Sequence, residues 1–107
     1  MVAVNPELMR RVRATKDALR RLGTLRAVYL FGSHVEGRAH EWSDIDVAAF
    51  MEEAELWDMW RRAEITADLQ AEVGYDIEPH FFSARNLDHP PQGSFAEFII
   101  EHGIRVD

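Results

Sequence analysis

At 107 residues, 47% of them apolar and three of them tryptophan, the chain can bury one core but not a second. It has no cysteine, which excludes disulfides, thiolate zinc sites and thiol catalysis. The formal charge of −7 divides into +5 over residues 1–26 (seven basic groups, Glu7 and Asp17) and −12 over the rest, so the body of the chain is a poor general binder of nucleic acid.

The N-terminal stretch is polar and then arginine-rich, unlike a secretory leader. No apolar run approaches the ~20 residues that span a bilayer. A single cytoplasmic domain over residues 1–107 is expected. "NPELMRRVRATKDALRRLG" predicts a helix, with Asn5 as cap, Pro6 in the first turn and Gly23 as the stop. Leu8, Val12, Thr15, Leu19 and Leu22 step by four and three along one stripe, and the Thr15 methyl can join it. The arginines around that stripe form either a solvated face or a contact for RNA, an acidic partner or ligand phosphates.

"LRAVYLF" predicts a strand ending at Gly32-Ser33, and "HVEGRAHEWS" a polar loop or short helical turn around Gly37. "DIDVAAF" predicts a second strand. Glu52 to about Val73 predicts one long helix, stopped by Gly74, with Leu56, Met59, Trp60, Ala63, Ala67 and Leu69 or Ile65 on its buried side. Asp58 and Arg62 are spaced as an i,i+4 ion pair. "YDIEPHFFS" predicts a third strand, "ARNLDHPPQGS" a loop, and "FAEFIIEHG" a short closing helix. The order is helix, strand, strand, helix, strand, helix: an α/β or α+β domain in which helices flank a small mixed sheet.

Three short elements carry the chemistry. Gly32-Ser33 ends an apolar strand, where a glycine lets backbone approach a ligand and the amides and hydroxyl that follow can cradle phosphate oxygens. Asp44 and Asp46 are one position apart, so a strand would point both carboxylates the same way. At about 5 Å and an effective dielectric of about 20 such a pair repels by roughly 3 kcal/mol, which demands water or a cation. Asp76 and Glu78 repeat the pattern on another strand. Magnesium, which takes one or two carboxylates plus substrate phosphates, would make the acids and the phosphate cradle one site. Two such ions can clamp the attacking and leaving oxygens of a displacement at phosphorus.

Ten residues separate Ser33 from Asp44, so the chain reads G-S-x10-D-x-D. With "FGS" at Phe31 to Ser33, Gly37 in the loop, and "SDIDV" at Ser43 to Val47, it resembles the nucleotidyltransferase superfamily related to DNA polymerase beta. Within it, the chain is most similar to the minimal nucleotidyltransferase branch. The tail "FAEFIIEHGIRV" extends the resemblance to nearly the whole chain. It implies transfer of a nucleoside monophosphate, AMP from ATP or another triphosphate, with loss of pyrophosphate. It further implies that Gly32 and Ser33 hold the triphosphate, with Arg38 and Ser43 as further nucleotide contacts. Asp44 and Asp46 would bind two Mg2+ ions, and either Asp76 or Glu78 would be the third carboxylate. The family often has an arginine just before the loop glycine; here Glu36 precedes Gly37 and Arg38 follows it. Minimal members of this kind resemble the antitoxin half of toxin-antitoxin modules, whose other half is an all-helical HEPN protein. In that setting the acceptor is a tyrosine hydroxyl on the partner.

Two other classes stay open: a non-catalytic module that neutralises a helical partner, and a small-molecule nucleotidyltransferase completed by homo- or hetero-oligomerisation. No Gly-x-Ser-x-Gly elbow speaks for a serine hydrolase. His34, His40, His80, His89 and His102 lack zinc-ligand spacing and read mainly as solvated, with His34 and His80 the two candidates for touching substrate. Trp42, beside the acids, is a candidate for stacking on a base, whereas Trp57 and Trp60 read as core or partner interface.

Overall fold

The computed structural model describes residues 5–107. Helix α1 (Pro6–Leu22) starts where Asn5 accepts a hydrogen bond from the Glu7 amide at 2.7 Å. The expected stripe is the one it buries: Val12, Thr15 and Leu19 have no exposed surface. The Thr15 hydroxyl donates to the Arg11 carbonyl at 2.9 Å, which satisfies the single polar atom and leaves the methyl for packing.

Strand β1 (Leu25–Phe31) leads into the four-residue helix α2 (Ser33–Glu36), then a turn-rich loop, then β2 (Ile45–Met51). Helix α3 (Met59–Val73), β3 (Ile77–Ser83), the short α4 (Arg85–Asp88), α5 (Phe95–His102) and a two-residue β4 (Ile104–Arg105) complete the chain. The sheet order is β3-β2-β1-β4, with β2 and β3 parallel and the other pairs antiparallel. This is the small mixed sheet that the element order implied. The fourth strand was not expected; Ile104 and Arg105 pair with Leu30 and Tyr29 on the open edge of β1.

Sheet and helices form three layers. On one face Val28, Leu30, Val47, Ala49, Met51 and Ile77 pack against α1 and α3. On the other, Ala27, Tyr29, Phe31, Ala48 and Phe50 meet Ala96 and Ile99 of α5. No helix among the described residues is long and apolar enough to cross a membrane.

One expectation is corrected. The long helix from Glu52 does not form: a 3-10 turn at Ala54–Leu56 precedes an extended Trp57, and α3 begins only at Met59. Asp58 is its cap, accepting from the Arg61 amide at 2.8 Å, so it is not the ion-pair partner of Arg62. The Arg62 guanidinium instead donates to the carbonyls of Ala54, Trp57 and Phe81, at 2.7, 3.2 and 2.9 Å, and ties the broken segment to β3. The break resets the helical phase. Ile65 and Leu69 are buried, whereas Leu56, Met59, Trp60, Ala63 and Ala67 are exposed. Trp57 turns inward and packs edge-on against Phe81 at 5.6 Å.

Candidate active site

Strand parity and register bring the acids together. Asp46 pairs with Phe31 on one side and with Glu78 on the other, so these three form a row across the sheet on the α5 face. His80, two residues beyond Glu78, lies on the same face in the next row. Its Nε2 is 3.2 Å from Asp46 Oδ1 and 4.0 Å from Glu78 Oε1. One donor atom from each of the three residues falls within 4.8 Å of the others. Octahedral ligands about 2.1 Å from an ion sit about 3.0 Å apart when adjacent and about 4.2 Å when opposite. The two His80 separations, 3.2 and 4.0 Å, fall in that range, which makes the group a candidate for holding a divalent ion.

Partial burial and the Asp46 charge push the Glu78 carboxyl above its ordinary 4.5; His80 pulls it back and Asp44 adds to the rise. The raised value means that the ionised form is penalised in the folded state. Stability is therefore lost as pH rises through 4.5 and beyond. Glu78→Gln should raise the melting temperature of the metal-free protein at pH 7 by a few degrees. That corresponds to relief of a cross-strand like-charge pair at about 0.2–1 kcal/mol, with the difference from wild type closing below pH 4.5. Differential scanning calorimetry across that pH range checks it.

Gly32 fits the acid. Its φ of +81° is a conformation that favours glycine, and a Cβ there would stand 2.6 Å from Asp46 Oδ2. The carboxylate thus lies against the turn itself. The Gly32 carbonyl accepts from the amides of Val35 and Glu36 at 3.0 Å, starting α2, and the first amides of that turn have no partner within it. Ser33 is half-buried in the same turn.

The other expected site residues fall elsewhere. β2 begins at Ile45, one residue later than the pattern implied, so Asp44 is exposed just ahead of it and outside the Asp46–Glu78–His80 group. Asp76 sits in the turn before β3, where Arg11 of α1 grips it: Nη1 donates to Oδ2 at 2.8 Å, and Nη2 donates to Oδ1 and, at 3.0 Å, to the Val73 carbonyl. Gly74 makes room, since a Cβ at its φ of +125° would strike that guanidinium. The hydrogen bond and charge of Arg11 hold Asp76 below its ordinary 3.8. A depressed carboxyl adds stability that is present above 3.8 and lost as pH falls through its folded value. Asp76→Asn should therefore destabilise the protein at pH 7 by at most about 1 kcal/mol for so exposed a pair, and by nothing once both forms are titrated in acid. Urea melts from pH 7 down through the acid range test this, the difference shrinking as pH falls below 3.8.

Arg38 is exposed and pairs with Glu36 at 3.0 Å. The Ser43 hydroxyl accepts from the His40 amide at 3.0 Å and closes the loop ahead of the acids. Trp42, in that loop, is 82% exposed. A cavity of about 470 Å³ opens on the α1 side, lined by Arg11, His34, His40, Ser43 and Asp76, and none of Asp46, Glu78 and His80 lines it. His80, which sequence reasoning kept only as a candidate substrate contact, is the histidine that joins this candidate site. Searching for zinc-ligand spacing could not find it; the usable signal was its i,i+2 offset from Glu78 on a strand.

Comparison with known proteins follows the same lines. A family profile described as "Polymerase beta, Nucleotidyltransferase" matches residues 14–106. Two solved structures share the fold, each with a TM-score of 0.60. One is a protein of Sulfolobus solfataricus put forward as a nucleotidyltransferase, 16% identical, covering 77% of this chain and 72% of its own. The other is a toxin-antitoxin with AMP-PNP, 22% identical, covering 92% and 72%. No functionally curated protein matches the sequence.

Proposed function

The chain belongs to the polymerase beta nucleotidyltransferase family, and on that premise we propose that it transfers the nucleoside monophosphate of a triphosphate, AMP from ATP, to a hydroxyl on a protein partner. The observation that carries this reading is the Asp46–Glu78 row lying against the positive-φ turn at Gly32. Acids and phosphate cradle are then one site.

Asp46 and Glu78, with Asp44 ahead of the strand, would hold the divalent ions, two Mg2+ in this reading; bound there, they would polarise the α-phosphate and offset charge on the departing pyrophosphate. The Gly32 turn, the Ser33 hydroxyl and Arg38 hold phosphate oxygens. Ser43 acts indirectly by fixing the loop that carries Trp42 and Asp44. Glu78 is favoured over Asp76 as the third carboxylate, because Asp76 is already bound by Arg11. Its place in the row beside Asp46 puts it where a carboxylate could take the acceptor proton. The acceptor oxygen attacks the α-phosphorus, the bond to the β-phosphate bridging oxygen breaks, and pyrophosphate leaves with that electron pair. The proton passes to Glu78.

The acceptor is proposed to be the helical HEPN-type toxin of a toxin-antitoxin pair. Two observations support a protein acceptor: the fold shared with a toxin-antitoxin with AMP-PNP, and the exposed Leu56, Met59 and Trp60 at the start of α3. Exposed on one short segment, these side chains would suit an apolar helical partner.

The test is incubation of the protein and its helical partner with each α-labelled triphosphate and Mg2+, beside the double variant Asp44→Ala/Asp46→Ala. Label on the partner, strongest from ATP and absent with the variant, is the expected result. Tight partner binding with no label from any of the four triphosphates overturns the enzymatic reading in favour of a binding module.

A further inference from the structure

We propose that His80 is itself a ligand of the divalent ion, through Nε2, and that this nitrogen makes the site prefer Mn2+ to Mg2+. The inference rests on the nucleotidyl-transfer reading, which assigns an ion to Asp46 and Glu78.

Geometry leads to it. The 3.2 Å from His80 Nε2 to Asp46 Oδ1 and the 4.0 Å to Glu78 Oε1 lie between the adjacent and opposite separations of an octahedral shell, about 3.0 and 4.2 Å. The ring is also held. Phe31 meets it edge-on at 5.0 Å and Phe95 of α5 at 6.0 Å, so its nitrogen is aimed at the acids rather than free to swing into solvent. At 29% and 24% side-chain exposure, His80 and Asp46 are equally open to an entering ion.

Ligand chemistry supplies the selectivity. Mg2+ takes oxygen and keeps its waters, whereas imidazole is a ligand for transition metals. Two carboxylates and one imidazole on a single face form a mixed oxygen and nitrogen set. Mn2+ accepts both donors at the same charge, and Mg2+ gains little from the third.

The competing role for His80 is orientation: its Nε2–H would donate to Asp46 and hold the carboxylate, with no effect on which metal binds. Calorimetric titration of the full chain with Mn2+ alone and Mg2+ alone, together with pulsed electron paramagnetic resonance of the Mn2+ form, separates the two roles. For the wild type, Mn2+ should bind about 10-fold tighter than Mg2+ or better, with nitrogen modulation from a coordinated imidazole. His80→Ala and His80→Gln should both lose the modulation and about 10-fold or more in Mn2+ affinity, while Mg2+ affinity changes less than about 3-fold. Glutamine keeps a donor for Asp46, so a role limited to orientation would survive that change. Wild-type Mn2+ spectra without nitrogen modulation, or equal losses for both metals, overturn the proposal and leave nucleotidyl transfer standing. Binding of neither metal to the protein alone overturns the His80 proposal, whereas nucleotidyl transfer falls only if no α-label moves to the partner in the presence of triphosphate and a divalent ion.

Discussion

Asp46→Ala is expected to cut transfer of the α-labelled nucleotide by about 100- to 1,000-fold or more, the scale seen when one charge-stabilising group is lost from a preorganised site. Asp46 is central by position: it pairs with Glu78, lies against the Gly32 turn and contacts His80 at 3.2 Å. Its removal takes away one of the two carboxylates in the row. The same change also removes a like charge beside Glu78, so the metal-free protein should melt within a few degrees of wild type. That combination, activity lost and stability kept, separates a missing ligand from a misfolded domain. Steady-state rates and a melting curve on one preparation check it. A variant that retains more than about a tenth of the activity removes Asp46 from the machinery.

Gly32→Ala should have the second largest effect, on stability and site together. At φ +81° and ψ −151° the backbone lies in a region essentially confined to glycine, where a residue with a Cβ costs about 1–3 kcal/mol. The added methyl would also press on Asp46 Oδ2, at 2.6 Å in the present geometry. The melting temperature is expected to fall by roughly 4–8 °C per kcal/mol for a domain of this size. Metal affinity should fall as well, because the carboxylate has to move. Ser33→Ala, one residue on, removes a hydroxyl and leaves the backbone alone; it should weaken triphosphate binding with little change in melting temperature. If Gly32→Ala leaves both melting temperature and metal binding unaltered, the turn does not shape the Asp46 carboxylate.

The architecture was legible wherever one signal sufficed. Asn5, Pro6 and the Leu8-to-Leu22 stripe fixed α1, and apolar runs ending in Gly32-Ser33 and Gly74 bounded the elements around the site. The extent of α3 was not legible. Leu56, Met59 and Trp60 keep a helical spacing whether they are buried or not, and the break comes from Arg62 reaching three carbonyls, one of them on β3. The contact with β3 is beyond any local pattern, but Asp58, read as an ion-pair partner, was the local sign of a cap. Strand β4 was missed because two residues hold too little periodicity to read.

At the site, the Asp44/Asp46 spacing and the resemblance built on it led to the right family. Sequence could not rank Asp76 against Glu78, since parity puts both on one face. Arg11, 65 residues away in the chain, grips Asp76 and leaves Glu78 beside Asp46, which is why Glu78 is the one proposed. The place of His80 beside Asp46 was not legible for a related reason: the link runs across 34 residues of sequence and depends on the parallel β2–β3 register.

The central claim is nucleotidyl transfer, and paired labels test it most directly. The protein, its helical partner and a divalent ion are incubated with ATP labelled at the α-phosphate and, separately, at the γ-phosphate. The account predicts label on the partner from the α position only, with pyrophosphate released in equal amount. Label from the γ position alone would mean phosphoryl transfer and would contradict it.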